Sequence, residues 1–474
     1  MPRDEHPATR TRFKAEAQYR QQVTPKIALF FISIFLALCG SVLPSLGSFL
    51  HIPQLEIGTT IIWACWFGVM FAIAVPTYDS FLRKAMGWLK HVGSTIAITI
   101  AVLSVVEITG IAIITTNVQR IESYGGDLSQ LAKSVIHAFQ PADSDALTKQ
   151  AVQNLLEGKN PYASSDIITA MGASPDAFDK ITPLHTGRFS GSFPYPTADQ
   201  LRNFWDSALT QPNSPPVEIE SKFNYPAGSF LILAPFTAMG IKDIRISFII
   251  LALLALAYAA WRINPALRVY FIVAVALSLG TWNAAGAGVR CLYFPFLLMA
   301  WLLIRERLWL SALCMGIAVA TKQVAWFFLP FYGILILRTT GVKKATLALV
   351  LVGAVFVAFN LPFIISNPEL WVTSITAPMS AIMFPTGVGI ITMVTSGVLH
   401  ITSPFVFSTL ELCALALTAV WYYRNCVRCP HTGLILALVP LFFAWRSLWN
   451  YFYYTDIVLL AAILYDALHD KQPL

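Results

Sequence analysis

Asp143 and Asp145 open a stretch, 143–158, that divides cleanly by helical face. Leu147, Ala151, Val152, Leu155 and Leu156 fall on one face, and Lys149, Gln150, Gln153, Asn154 and Glu157 on the other. A carboxylate at the head of such a helix has two ordinary uses. It can take a proton from a hydroxyl as a general base, or it can cap the first turn, where Asp is favoured. Both readings stand for each acid, and two acids allow one of each. Four cations lie near the ends of apolar runs: Lys322, Arg446, Arg245 and Arg290. A charge beside hydrocarbon is expensive, so a cation there is read first as holding an anion, with snorkelling to the interface as the alternative. Arg offers a planar fork and Lys a point charge.

The elements that carry these residues are apolar helices. Of 474 residues 56% are apolar and only 12% charged, about half the charge of an ordinary globular domain. Mean hydropathy is +0.64. That excludes disordered, coiled-coil and disulfide-scaffold classes and implies an all-α polytopic membrane protein. Twelve spans are expected, at about 27–49, 57–76, 94–117, 246–262, 269–285, 288–304, 308–322, 324–337, 345–366, 403–422, 432–446 and 449–467. Residues 226–240 and 386–401 are left at the interface. With the N-terminus in the cytoplasm, the loops holding Arg83 and Lys84, Arg262 and Arg268, Arg305 and Arg307, Arg338 and Lys343, and Arg424 and Arg428 all fall inside. This is the positive-inside pattern, and counting 226–240 as a span would break it. The net charge of +7 therefore reports orientation and not affinity for nucleic acid. The organisation reads as a cytoplasmic tail (1–26), a three-span region (27–117), an outer segment (118–245), a second membrane region (246–467) and a short cytoplasmic tail (468–474). Between 118 and 224 lie twelve acidic and eight basic residues, a net of −4.

The Asp pair, the amphipathic helix and its ending Leu155-Leu156-Glu157-Gly158-Lys159-Asn160-Pro161-Tyr162 together resemble the first outer loop of GT-C glycosyltransferases. The closest likeness is to bacterial polyprenyl-phosphate-sugar-dependent mannosyltransferases and arabinofuranosyltransferases. A second surface helix of that fold resembles Asn224-Tyr225-Pro226 through Gly240, with Arg245 opening the next span. Thr321-Lys322-Gln323, Asn360-Leu361-Pro362-Phe363 with Pro378 to Gly389, and Arg446-Ser447-Leu448 with Asn450-Tyr451-Phe452 resemble the same group. One departure stands. Spans 57–76 and 94–117 also precede the outer loop, where much of the fold has a single span.

The resemblance implies a GT-C-like fold with two membrane-surface helices on a large outer loop. It also implies an enzyme at the extracytoplasmic face of the cell membrane. A monosaccharide, mannose or arabinose first, would pass with inversion from a polyprenyl phosphate to a hydroxyl of an envelope glycan or glycolipid. Asp143 would be the base, with Asp145 as second choice. Lys322, Arg446, Arg245 and Arg290 would hold the lipid phosphate. Tyr162, Tyr225, Gln323, Asn450, Tyr451, His185 and Arg188 would line the substrate groove. The alternative is a carrier or flippase for a lipid-linked sugar, with no covalent chemistry. No resident cofactor is called for, although Asp143 and Asp145 leave room for a shared Mg²⁺ or Mn²⁺. Cys426 and Cys429 form a lone C-x-x-C, a weak metal or redox signal.

Overall fold

The computed structural model describes residues 24–43, 54–116, 142–172, 178–210, 216–278, 282, 291–380 and 382–466. Six helices there are long and apolar enough to cross a membrane. They are α1 (Thr24–Leu43), α2 (Gln54–Ala74), α3 (Met86–Thr116), α6 (Ile244–Arg262), α11 (Val342–Ser366) and α13 (Pro404–Asn425). The amphipathic helix α4 runs Asp143–Leu156, and α5 runs Ala198–Thr210. Shorter apolar helices complete the bundle: α7 (Pro265–Ala276), α8 (Phe294–Leu303), α9 (Leu308–Thr321), α10 (Phe328–Thr340) and α16 (Thr455–Asp466). Between α13 and α16 lie α14 (Thr432–Leu436) and α15 (Val439–Phe442), and α12 (Pro368–Ser380) follows α11. Several of these fall short of the roughly 20 residues of a straight span. The stretch 449–467, read as one span, starts instead with a 3₁₀ turn at Trp449–Tyr451 and becomes α-helical at Thr455.

Among the described residues the protein is all-α except for one short parallel pair, β1 (Thr386–Gly387) with β2 (Arg446–Ser447), and two isolated antiparallel bridges, Pro183 with Ile219 and Leu184 with Met383. α9 packs between α8 and α11, and α8 contacts α6 and α16. In contrast, only 11% of the apolar window of α13 is buried, and Phe405, Leu412 and Leu417 are exposed on it. An apolar face of that length suits lipid and not water.

Polar contacts collect at the two ends of the helices. At one end Lys26 pairs with Asp79 at 3.0 Å, Arg262 with Glu306, and both Arg305 and His431 with Asp466 at 2.8 Å. At the other, the Ala227 amide donates to Asn360 Oδ1 at 3.0 Å, Thr60 donates to the Gly389 carbonyl at 2.8 Å, and Thr395 donates to Glu56. The outer segment joins this second end.

Two glycines make its contacts close. A Cβ on Gly228 would lie 2.4 Å from the Ala320 carbonyl oxygen, so the broken helix Gly228–Ala238 seats its backbone directly on α9. Gly387 has φ +134 and would put a Cβ 2.1 Å from the Ser447 oxygen. Only glycine accepts that conformation. Gly387→Ala is therefore expected to unpair β1 from β2 and cost about 1–3 kcal/mol. Unfolding of the purified variant in detergent checks this, and an unchanged midpoint would refute it.

Candidate functional site

The site is built on α4. The helix begins at Asp143, as the sequence pattern predicts, but its N-cap is Ala142 and makes no side-chain cap bond. Asp143 Oδ1 accepts from the Ser144 amide of the first turn at 2.5 Å. Asp143 reaches out of the first turn and accepts a 2.5 Å hydrogen bond from the Thr182 hydroxyl. Asp145 is 2% exposed and lies in the field of Arg245. Residues two apart on a helix point to different sides, yet both acids act on the Tyr225 hydroxyl. Gly158, with φ +74, closes the helix, and Asn160 caps the turn that starts at Pro161. The apolar face is covered largely by protein, through Ile167–Met171 and the broken helix Gly228–Ala238, while Leu156 stays exposed.

Thr182 has a second role. Its carbonyl accepts from the Glu220 amide at 2.9 Å, and Leu184 donates to the Glu218 carbonyl at 2.8 Å. This short antiparallel pairing brings Glu220 beside Asp143. Glu220 is a site residue that the motif reading does not pick out. The pattern was nevertheless present, since Val217-Glu218-Ile219-Glu220 alternates with the period of a strand. Ile219 turns inward and is buried, which sends both acids the other way. Burial pushes the Glu220 carboxyl up to about 7; Arg446 opposes the rise, Asp143 adds to it, and the Asn224 side-chain amide donates to the carboxylate and opposes it. Its charge thus changes near neutral pH.

Arg446 enters from β2. Its Nη1 rests on Met383 Sδ at 3.0 Å, and Trp445 Nε1 donates to the Met383 carbonyl at 2.7 Å. Met383 also bridges Leu184 of the outer segment. The stretches Met383–Gly387 and Arg446–Leu448, far apart in sequence, thus meet over the outer segment. Tyr195 lies in the fields of both Arg446 and Asp143, as Glu220 does, so the four form one electrostatic neighbourhood. Tyr451 lies in the fields of Arg446 and Glu220.

Lys322 ends α9 in an extended conformation and sets its ammonium 4.6 Å from the centre of the Tyr225 ring. Such a cation–π contact steadies a charge without neutralising it. Burial holds the Tyr225 hydroxyl well above its usual range, and Asp143, Glu220 and Tyr451 all push the same way. Gln323 is a clamp, donating to the Asn224 carbonyl at 2.7 Å and the Ile375 carbonyl at 3.2 Å.

The remaining candidates divide. Tyr162 is 1% exposed among Phe223, Phe230 and Phe363, and donates to the Tyr225 carbonyl at 2.9 Å. It is a core residue that supports the site, not a groove residue. Asn450 is buried, and its main-chain carbonyl accepts from Cys291 Sγ. Arg245 makes a close fork with Asp243, its nearest Nη2–Oδ2 contact at 2.6 Å, and belongs to the Asp145 side. Arg188 is bound to Ser207 of α5. His185 stacks edge-on against Phe384 at 5.1 Å. With Phe193, Met383, Thr402, Pro404 and Trp445 it lines a small cleft next to Met383, the residue on which Arg446 rests. Arg290 lies outside the described residues. Among the described residues no three of His, Cys, Asp and Glu gather closely enough to hold a metal ion. What the arrangement can do is bind an anion at Arg446 beside two carboxylates able to take a proton, with Lys322 adding positive charge across the Tyr225 ring.

Comparison with family models, with curated proteins and with solved structures yields no match to this chain. The site is therefore read from its own chemistry.

Thr182→Val keeps the shape of the residue and removes the hydroxyl. A hydrogen bond to a charged acceptor contributes about 1.5–3 kcal/mol, and partial exposure here lowers that to about 1–2. Unfolding of the variant is expected to show that loss, with Thr182→Ser recovering most of it. Equal stability of the valine variant and wild type would mean the bond carries no weight.

Proposed function

We propose that this protein is an integral-membrane glycosyltransferase of the GT-C kind, taking a monosaccharide from a polyprenyl-phosphate donor at the outer face of a membrane. The observation that carries the reading is the meeting of Asp143 with Arg446, through their common neighbours Glu220 and Tyr195, at the end of the helices where the outer segment docks. A lipid-linked phosphate reaches that level without leaving the bilayer, and a polar acceptor meets it from the aqueous side.

The chemistry is a single displacement. The acceptor oxygen forms a bond to the anomeric carbon as the bond from that carbon to the phosphate oxygen breaks, which inverts the configuration. The acceptor proton passes to Asp143, which Thr182 orients. Charge grows on the leaving phosphate, and Arg446 with Lys322 stabilises it. Tyr225 and Gln323 hold Lys322 and the Asn224 backbone in place. Mannose or arabinose remains the proposed sugar, and an envelope glycan or glycolipid the acceptor. A carrier needs no base, and it gives Asp143 no task.

The same reading places twelve passes across the membrane. The helices alternate between the end bearing Arg262, Arg305 and Arg338 and the end bearing Asp143 and Lys322, and the basic end is cytoplasmic. In a cysteine-free background, Ser190→Cys is expected to react with a membrane-impermeant maleimide on intact cells, and Lys343→Cys only after permeabilisation. The reverse labelling pattern would overturn this sidedness.

Loss of the base tests the activity. Purified protein in nanodiscs receives radiolabelled polyprenyl-phosphate-mannose or polyprenyl-phosphate-arabinose with an envelope glycolipid extract. Asp143→Asn is expected to lower transfer by about 10²–10⁴-fold, while donor binding persists. Transfer at the wild-type rate would contradict the assignment.

A further inference from the structure

Glu220 is the acid that the displacement above does not use. Its place is fixed on three sides. The backbone is paired to Thr182, the carboxylate accepts from Asn224, and the Asn224 carbonyl is held by Gln323. So fixed, it lies in the field of Arg446. Arg446 itself rests on a thioether sulfur, and among the described residues no carboxylate comes within ion-pair distance of it. Met383 in turn pairs with Leu184, which sets the guanidinium against the same short pairing that carries Glu220. An arriving phosphate would meet Arg446 directly and Glu220 as a like charge. The other groups around Glu220 do not relieve that clash. Asp143 of α4 adds negative charge, Tyr225 and Tyr451 are neutral phenols, and Lys322 stands across the Tyr225 ring.

We propose that Glu220 is the counter-charge of the Arg446 phosphate subsite: it balances the guanidinium while no anion is bound and takes up a proton from water as a phosphodiester binds. This rests on the phosphate reading above and deepens it. Binding of the donor is then coupled to protonation, and Glu220 acts through Arg446 as a positioning residue. The sign follows from the charges. At low pH Glu220 is neutral and the full attraction of Arg446 is available to the ligand. As pH rises through about 7 the carboxylate forms and competes with the anion. The coupling also favours turnover. The diester donor carries one negative charge, whereas the monoester product carries up to two and is repelled more strongly once Glu220 reionises.

The test separates this coupling from the transfer reaction. The probe is farnesyl methyl phosphate, a diester whose single charge is constant from pH 6 to pH 8. Its binding is titrated into the full chain in nanodiscs, with proton uptake followed by an indicator dye in weak buffer. Wild type is expected to bind about fivefold more weakly at pH 8 than at pH 6, with a fractional proton taken up per ligand near pH 7. Glu220→Gln is expected to bind equally at both pH values, at about the wild-type pH 6 affinity, with no proton uptake. Saturable binding to wild type with no pH slope and no proton uptake would overturn the coupling and leave the phosphate subsite standing. No saturable binding at either pH would overturn the subsite and the coupling together. Because proton uptake is read on wild type, a Glu220→Gln chain that fails to fold does not remove the test.

Discussion

Thr182 donates its hydroxyl to Asp143 while its carbonyl accepts the Glu220 amide. One residue thereby fixes two carboxylates that start 77 positions apart in the chain. Like charges do not gather unless something holds them, and here the holding group is a neutral backbone pairing backed by a buried isoleucine. Once the acids are set, a cation beside them is required. Arg446 meets that need, and its strand is in turn locked by Gly387 and Met383.

The same logic explains why the outer segment docks where it does. Asn360 inside α11 has its carbonyl oxygen shared by the Ala227 amide and the Trp371 indole. An amide in a spanning helix is costly unless bonded, and docking satisfies it. Gly228 lets the docked backbone touch α9, so Tyr225 arrives over Lys322. Packing and polar satisfaction are therefore not separate from the site. Tyr162, Gln323 and Asn360 hold it together from below, and none of them needs to meet a ligand.

Much of the architecture was legible because hydropathy and charge act over long stretches. Six of the apolar runs became helices long enough to cross a membrane, and 226–240 became a short broken helix, Gly228–Ala238, as Tyr225-Pro226 and Gly240 imply. The limits of α4 followed from its apolar period and Gly158. The site was legible only where one residue carried the signal alone. Lys322 and Arg446 stand out as charges at the ends of apolar runs. Glu220 does not, because the strand-like alternation of 217–220 does not say that its partner is 182–184. Tyr162 misled for the opposite reason: a tyrosine after Asn160-Pro161 looks available, but three aromatic neighbours fill the space around it. The caps misled too, since the helix takes in Asp143 as its first residue and leaves Ala142 at the cap position.

The account turns on where a lipid-linked sugar sits. The most direct measurement is a cryo-electron microscopy map of the full chain in nanodiscs with a non-transferable polyprenyl phosphonate analogue of the donor. The account predicts phosphorus density against Arg446 and Lys322, with the anomeric carbon turned toward Asp143 and the chain leaving sideways into lipid. Density for the head group at the middle of the bilayer, away from Asp143, would contradict it and favour a carrier.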